Sequence, residues 1–216
     1  MDIRRRAEMM DCANNMREIG NRISAFALSF DGRYPGAGGR KNENNPSWGA
    51  SASWVTQLND NLDSGQEPIQ RSGNPKQGTL YCPSMAAGKS RRAYMFNWEA
   101  AGASHKATSG RYGKMVVPPP PIPGKYYYAW YRLGAVMGAV QSPTTTNLII
   151  ENERGADYFR GSGKPVNLGN DPKFNPWCGN GGVFAFRHDL RMNTLFADLH
   201  LAAQEPGDTF DTRLEK

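Results

Sequence analysis

The chain has 216 residues and a formal net charge of +6, and 38% of its residues are hydrophobic. Its 24 glycines and 15 prolines are about 18% of the chain, above an average of about 12%, so many loops are expected. The longest unbroken apolar run covers residues 126–131, whereas a bilayer span takes about 20 apolar residues. Composition therefore excludes a membrane span, a collagen and a coiled-coil rod, and it favours a soluble, loop-rich domain.

Residues 2–30 carry the pattern of one amphipathic helix, because apolar side chains recur at steps of mostly three or four. Residues 31–35 (DGRYP) should end it, since glycine supplies a left-handed cap and proline cannot continue a helix. We expect one stripe of this helix to pack on an antiparallel sheet. The stripe consists of Met16, Ile19, Ile23, Phe26 and Phe30.

Short elements alternate with long loops through the middle of the chain. A short helix is predicted over residues 53–62. Strands are predicted, in chain order, at residues 79–82, 92–98, 126–133 and 147–153. Loop insertions are predicted near residues 36–78, 99–124 and 154–182, the second of which ends in a polyproline run at 118–123.

Residues 183–188 and 193–202 predict a hairpin joined by the four-residue loop 189–192. A symmetric loop would place His188 opposite Asn193. It would likewise pair Phe186 with Leu195 and Phe184 with Ala197. One face is then expected to form core and carries Phe184, Phe186, Leu195, Ala197, Leu199 and Leu201. The opposite face carries Arg187, Thr194, Phe196, Asp198 and His200.

Three stretches, in the same order along the chain, resemble type IV pilin-like proteins and type II secretion pseudopilins. Residues 12–20 (CANNMREIG) and 31–35 resemble the segment that follows the membrane helix in that family. Residues 82–84 match the family's usual "CPS". The end of the chain is similar to its C-terminal "H-x9-D-G" hairpin, through His188, Asn193, Phe196, Asp198 and His200. Leu199 stands where the family has glycine, and we expect it to add packing.

The resemblance implies an α+β, pilin-like fold: a long N-terminal amphipathic helix packed on an antiparallel β-sheet, with long loop insertions. Residues 1–216 would form one domain, with the helix at 1–31 and a β-rich part at 32–216. It also implies a non-enzymatic structural subunit of a type IV pilus or type II secretion pseudopilus that assembles through its N-terminal helix.

The partners implied are other pilin or pseudopilin subunits, and the inner membrane through a leader-proximal apolar helix that this sequence lacks. The globular domain would face the periplasm or the exterior, at the cell surface once assembled. Arg4, Arg5 and Arg6 would lie near anionic lipid headgroups. Basic and acidic residues are mixed elsewhere, so no nucleic-acid partner is expected.

The alternative is a cell-surface adhesin or glycan-binding module on the same fold. Aromatic faces suit sugar stacking, and four tryptophans could supply them. They are Trp48, Trp54, Trp98 and Trp130.

Cys12, Cys82 and Cys178 lie too far apart for a local zinc motif. Their spacing leaves open three buried thiols or one disulfide with any pairing. The family resemblance implies a Cys12–Cys82 disulfide, because both cysteines lie in matched motifs, and it leaves Cys178 over.

Candidate metal and catalytic residues are few. His188, Asp198 and His200 are the right types for an iron site, but the predicted hairpin separates His188 from Asp198 by about 17 Å of strand. Glu151, Glu153 and Asp157 are glycosidase candidates by type alone and are expected to be solvated. We therefore predict no catalytic residue and no cofactor. The exception is a calcium ion, for which Asp208 and Asp211 are possible oxygen ligands.

Overall fold

The computed structural model describes residues 3–36, 39–41, 54–60, 79–84, 93–97, 100–101, 115–116, 128–151, 158–159, 166–167, 184–211 and 213–214. Contacts divide the chain into two compact units. The first is Met1–Asn21, Ile69–Asn97 and Val140–Lys216, and the second is Arg22–Pro68 and Trp98–Ala139. Within the described part of the chain, each helix is too short or too polar to span a membrane.

The described residues form two kinds of element in an α+β arrangement. The helices are α1 (Ile3–Ser29) and α2 (Trp54–Asp60). The strands are β1 (Gly39–Lys41), β2 (Tyr94–Asn97), β3 (Met115–Val116), β4 (Tyr128–Arg132), β5 (Asn147–Glu151), β6 (Tyr158–Phe159), β7 (Val166–Asn167), β8 (Met192–Phe196), β9 (Leu201–Gln204) and β10 (Thr209–Phe210).

The predicted N-terminal helix is present as α1. It ends as the sequence predicts, because Asp31 and Gly32 adopt left-handed φ values of 53° and 69° and the amide of Gly32 donates to the carbonyl of Ala27 at 2.8 Å. Four of the five stripe residues are buried, and Phe30 is half-buried with its ring stacked on Phe26.

The sheet of the first unit has the strand order β6-β2-β5-β8-β9, antiparallel throughout except for the parallel β2–β6 pair. All five residues of β5 are buried, which suits a central strand with both faces covered. At Gly20 of α1, a Cβ would lie 3.4 Å from the side chain of Leu195 on β8. The helix therefore lies against the sheet at a position where a glycine permits close approach. A core cluster of the same unit consists of Met95, Ile150, Phe159, Phe184 and Met192.

The second unit contains a small sheet of order β1-β4-β3 and the helix α2. Gln57 of α2 is buried and exchanges two hydrogen bonds with the backbone of Gly36, at 2.9 and 3.0 Å. Gly134 lies where two segments meet. Its amide donates to Tyr34 at 2.8 Å, and the next amide, of Ala135, donates to Ala100 at 2.9 Å.

The predicted C-terminal hairpin is wrong in its partners. The observed ladder pairs β8 with β9, for example Thr194 with Ala202, around a turn at residues 197–200. Apolar residues alternate without interruption through that turn, so the pattern reads as one long strand. Both faces of β8 are buried, and Thr194 and Phe196 are therefore core residues rather than solvent-facing ones.

The predicted loop 189–192 is instead a two-residue turn. Asp189 and Leu190 have φ values of 53° and 64°, and His188 exchanges two backbone hydrogen bonds with Arg191 at 3.1 and 3.2 Å. His188 thus faces Arg191 and not Asn193. Two left-handed residues are typical of the tightest hairpin turns, but those turns usually carry Asn-Gly or Asp-Gly, so the sequence gives little signal here.

The expectation that Leu199 packs in the core is also wrong. Leu199 is half-buried in the β8–β9 turn with φ = 67°, not a core residue of a strand. The strand predicted at 79–82 is instead a turn followed by irregular chain, although the carbonyl of Leu80 accepts a hydrogen bond from Ala93 at 2.8 Å. The polyproline run, Cys178, Glu153, Asp157, Trp48 and Trp98 lie outside the described residues.

Candidate functional site

A disulfide joins α1 to the segment before β2. It links Cys12 to Cys82, both fully buried, and it is the pair that the family resemblance implies. Two hydrogen bonds lie beside it. The side-chain amide of Asn15 donates to the carbonyl of Tyr81 at 2.8 Å, and the Tyr94 hydroxyl donates to the carbonyl of Cys12 at 3.2 Å.

A buried carboxylate and a buried imidazole lie next to this disulfide. Nε2 of His188 is 2.9 Å from Oε1 of Glu151, and these side chains are 1% and 0% exposed. Glu151 ends the apolar strand β5, while His188 is held by the two-residue turn. Asn193 donates to Glu151 twice, from its backbone amide at 3.2 Å and its side-chain amide at 3.1 Å. The carboxylate therefore has three partners, which is how a buried charge is tolerated.

The cluster continues from His188 toward the surface. Nδ1 of His188 is 3.4 Å from Oγ of Ser84, and the Ser84 hydroxyl donates to Glu8 on α1 at 3.1 Å. Serine, histidine and a carboxylate are the residue types of a hydrolase triad. Here the Ser84 hydroxyl lies within hydrogen-bond distance of both Glu8 and His188, and the His188 imidazole is buried.

Tyr94 shows the electrostatic character of this region. Burial, first, and the negative charge of Glu151, second, raise the pKa of the Tyr94 phenol above its ordinary value. Burial thus favours the neutral hydroxyl, which is the form that donates to the carbonyl of Cys12.

The same cluster brings together four potential metal ligands. They are Cys12, Cys82, Glu151 and His188, whose ligand atoms all lie within 4.8 Å of one another and whose side chains are all buried. Sγ of Cys82 is 3.8 Å from Nε2 of His188. Thiolate, imidazole and carboxylate are the groups that bind zinc.

The residues of the hairpin motif fall in two different places. His188 and Asn193 lie in the buried cluster. His200 instead is exposed, 2.5 Å from Asp198 through Nδ1 and stacked on the ring of Phe196 at 4.4 Å. The iron-type set of His188, Asp198 and His200 is therefore not brought together, and the expectation that Glu151 is solvated is wrong.

The two calcium candidates line an open pocket of about 450 Å³ beside β9 and the β8–β9 region. Both carboxylate oxygens of Asp211 accept hydrogen bonds from Arg213, and one oxygen of Asp208 accepts from the amide of Glu205 at 2.7 Å. Calcium binding there stays a prediction. Of the four tryptophans, Trp54 is buried, so its ring is not available for sugar stacking.

Sequence reasoning missed the Glu151–His188 pair because the two residues are 37 positions apart and Cys82 is 106 positions from His188. One signal was present. A glutamate that ends an uninterrupted apolar run (NLIIE) is a carboxylate at the end of a buried strand, and such a group needs a partner.

Comparison of the chain with protein-family models, with curated proteins and with solved structures finds no match.

Proposed function

We propose that this chain is a structural subunit of a type IV pilus or type II secretion pseudopilus and that it assembles through α1. The proposal rests on the resemblance of the sequence motifs and on one structural observation, the distribution of exposure along α1. No side chain from Ile3 to Asp11 is buried, whereas from Cys12 onward one face of the helix is buried at every turn.

The exposed stretch carries two apolar side chains, seven positions apart and hence on one face of the helix. Ile3 is 85% exposed and Met10 is 61% exposed. At a rise of about 1.5 Å per residue, residues 3–11 supply about 13 Å of helix for contacts with other subunits. Burial of such side chains in an assembly contributes roughly 1.5–3 kcal/mol each before entropy costs.

The disulfide lies at the point where this exposed stretch ends. Cys12 is the first buried residue of α1, and its bond to Cys82 ties the helix covalently to the segment that leads into β2. A subunit that is held in a filament by its helix must transmit force from that helix to its globular part. A cross-link at this position would carry such a force.

The basic residues of the first turn fit the same proposal. Arg4 pairs with Glu8 at 3.0 Å and is 84% exposed, and Arg5 lies 3.6 Å from Asp189 and is 71% exposed. Exposed pairs of this kind are weak. Anionic headgroups, at about 1 kcal/mol for each basic residue, would compete with these pairs.

Complementation in the source organism tests the proposal. Deletion of the gene should abolish surface filaments or protein secretion, and the wild-type gene should restore them. Ile3→Asp combined with Met10→Asp should fail to restore them, because charged side chains would replace the apolar contacts between subunits. The protein level should stay normal, because both positions are exposed and the changes leave the fold intact. Leu28→Asp is the matched control, on the same helix and 87% exposed, and it should restore them. Normal filaments and secretion with the Ile3/Met10 variant would reject the proposal.

A further inference from the structure

We propose that the dithiol form of this protein binds a Zn²⁺ ion through Cys12, Cys82, His188 and Glu151, and that the bound metal and the disulfide are alternatives at one site. The inference goes beyond the structural role proposed above and does not depend on it. It assigns a metal site to a cluster whose four ligands come from distant parts of the chain.

The donor set and its dimensions suit zinc. Two thiolates, one imidazole and one carboxylate are all established zinc ligands, and four protein ligands make a closed, structural type of site. With Zn–S bonds of about 2.3 Å and Zn–N bonds of about 2.0 Å, tetrahedral geometry sets S···S at about 3.8 Å and S···N at about 3.5 Å. Cys82 Sγ and His188 Nε2 are already 3.8 Å apart. Once the S–S bond is broken, the two sulfur atoms must separate, and the other ligand atoms, which all lie within 4.8 Å of one another, must move to these tetrahedral distances.

The residues around the ligands also fit a metal site. A histidine that binds zinc through one ring nitrogen is usually oriented by a partner on the other. Nε2 of His188 lies 2.9 Å from Oε1 of Glu151, and Nδ1 faces Ser84 Oγ at 3.4 Å. When Nε2 binds the metal, the neutral ring would carry its proton on Nδ1, directed at Ser84. The Glu151 oxygen not directed at His188 accepts from the amide of Asn193 at 3.2 Å. Both ligands are thus held in position without the ion.

Exchange between the disulfide form and the zinc form involves two electrons and two protons. A dithiol reductant gives two electrons and two protons to the S–S bond, leaves as its own disulfide, and yields two cysteine thiols. Zn²⁺ then displaces one proton from each thiol. A disulfide oxidant later takes two electrons from the two thiolates, so the Cys12–Cys82 bond forms and Zn²⁺ is released. The oxidant takes up two protons and leaves as two thiols.

The two forms have the same mechanical consequence. Both forms tie α1 at Cys12 to the Cys82 segment, and the metal would in addition tie it to β5 through Glu151. Zinc would therefore replace the covalent cross-link under reducing conditions, where the disulfide cannot persist.

Titration of the full chain with Co²⁺ tests the site. Cys178→Ser removes the remaining thiol, and a phosphine keeps the other two reduced. We expect one Co²⁺ per chain, with the intense visible bands of a tetrahedral site and a thiolate-to-cobalt charge-transfer band, both removed by Zn²⁺. The oxidised chain should show neither band. His188→Gln should weaken binding at least 10-fold, and Ser84→Ala by about 10-fold, as the loss of an outer partner does.

A second measurement removes any dependence on how well the variants fold. Oxidised glutathione, added to the zinc-loaded chain, should release one Zn²⁺ for each Cys12–Cys82 bond formed, as measured with a chromogenic chelator. Zinc that stays bound after the disulfide has formed would overturn the proposal. So would a cobalt spectrum without the thiolate band, or one that is the same in the oxidised and reduced chains.

Discussion

The Nε2 atom of His188 lies 2.9 Å from Oε1 of Glu151, in a place where neither side chain exposes more than 1% of its surface. The carboxylate also accepts two hydrogen bonds from Asn193. Buried pairs of this kind contribute little over an apolar replacement of both partners, but the loss of one partner is costly because the other remains buried. The pair therefore fixes how the end of β5, the turn after His188 and the start of β8 come together.

Glu151→Gln should lower the free energy of unfolding by about 3 kcal/mol, because the charge is lost and an amide group would face the backbone amide of Asn193. Urea unfolding, monitored by circular dichroism, measures this change in the free energy of unfolding. Glu205→Gln is the control, since Glu205 pairs with Arg191 at 2.7 Å at an exposed position. It should change stability by no more than about 1 kcal/mol. Equal effects of the two substitutions would mean that the buried pair is not formed.

Leu199→Gly should stabilise the protein by about 1 kcal/mol. Leu199 has φ = 67°, a conformation that costs an ordinary residue about 1–2 kcal/mol and costs glycine almost nothing, although glycine gives back part of the gain as unfolded-state entropy. Leu201→Gly is the matched control, two positions later in β9, and it should destabilise. Thermal unfolding compares the two. A lower melting temperature for the Leu199 variant would contradict the turn geometry.

Gly134→Ala should destabilise by about 3 kcal/mol, because a Cβ there would lie 2.2 Å from the carbonyl oxygen of Ala100 and 3.0 Å from Tyr34. The backbone atoms involved cannot move without losing their hydrogen bonds. Gly138→Ala tests the specificity of the effect, since no atom of the described residues lies within 4 Å of its Cβ position. Gly138→Ala should change the free energy of unfolding by no more than about 0.5 kcal/mol. An equal decrease in the denaturant midpoint of both variants would rule out the close packing at Gly134.

Tyr94 should make stability fall at alkaline pH. Its pKa is raised in the folded protein by burial and by Glu151, whereas in the unfolded chain it stays near its ordinary value of about 10. Above that pH the unfolded chain loses a proton that the folded protein keeps, so unfolding is favoured. The loss at about pH 11 amounts to about 1.4 kcal/mol. Tyr94→Phe should lack this component, and the difference between the two pH profiles measures it. Parallel profiles for wild type and Tyr94→Phe would contradict the burial of the phenol.

The parts of the fold that could be predicted from the sequence are those with a repeating local signal. In α1 apolar residues recur every three or four positions, and Gly32 and Pro35 follow the helix and end it. The structure has this helix from Ile3 to Ser29. β2, β4 and β5 were likewise marked by apolar or aromatic runs.

The hairpin could not be predicted for a physical reason. Asp189, Leu190 and Leu199 all occupy left-handed backbone positions that glycine or asparagine would normally mark, so neither turn is visible in the sequence. The buried cluster was missed because it depends on long-range contacts. Its members come from α1, the Cys82 segment, β5 and the His188 turn, and only the folded chain places them side by side.

Photo-cross-linking in cells tests the assembly of the chain through α1 most directly. A photoreactive residue at Met10, which is 61% exposed in the stretch proposed to contact other subunits, should give a ladder of covalent multimers of this chain. The same residue at Leu28, which is 87% exposed and lies outside that stretch, should give monomer. Monomer alone from Met10, or equal ladders from both positions, would contradict assembly through the N-terminal part of the helix.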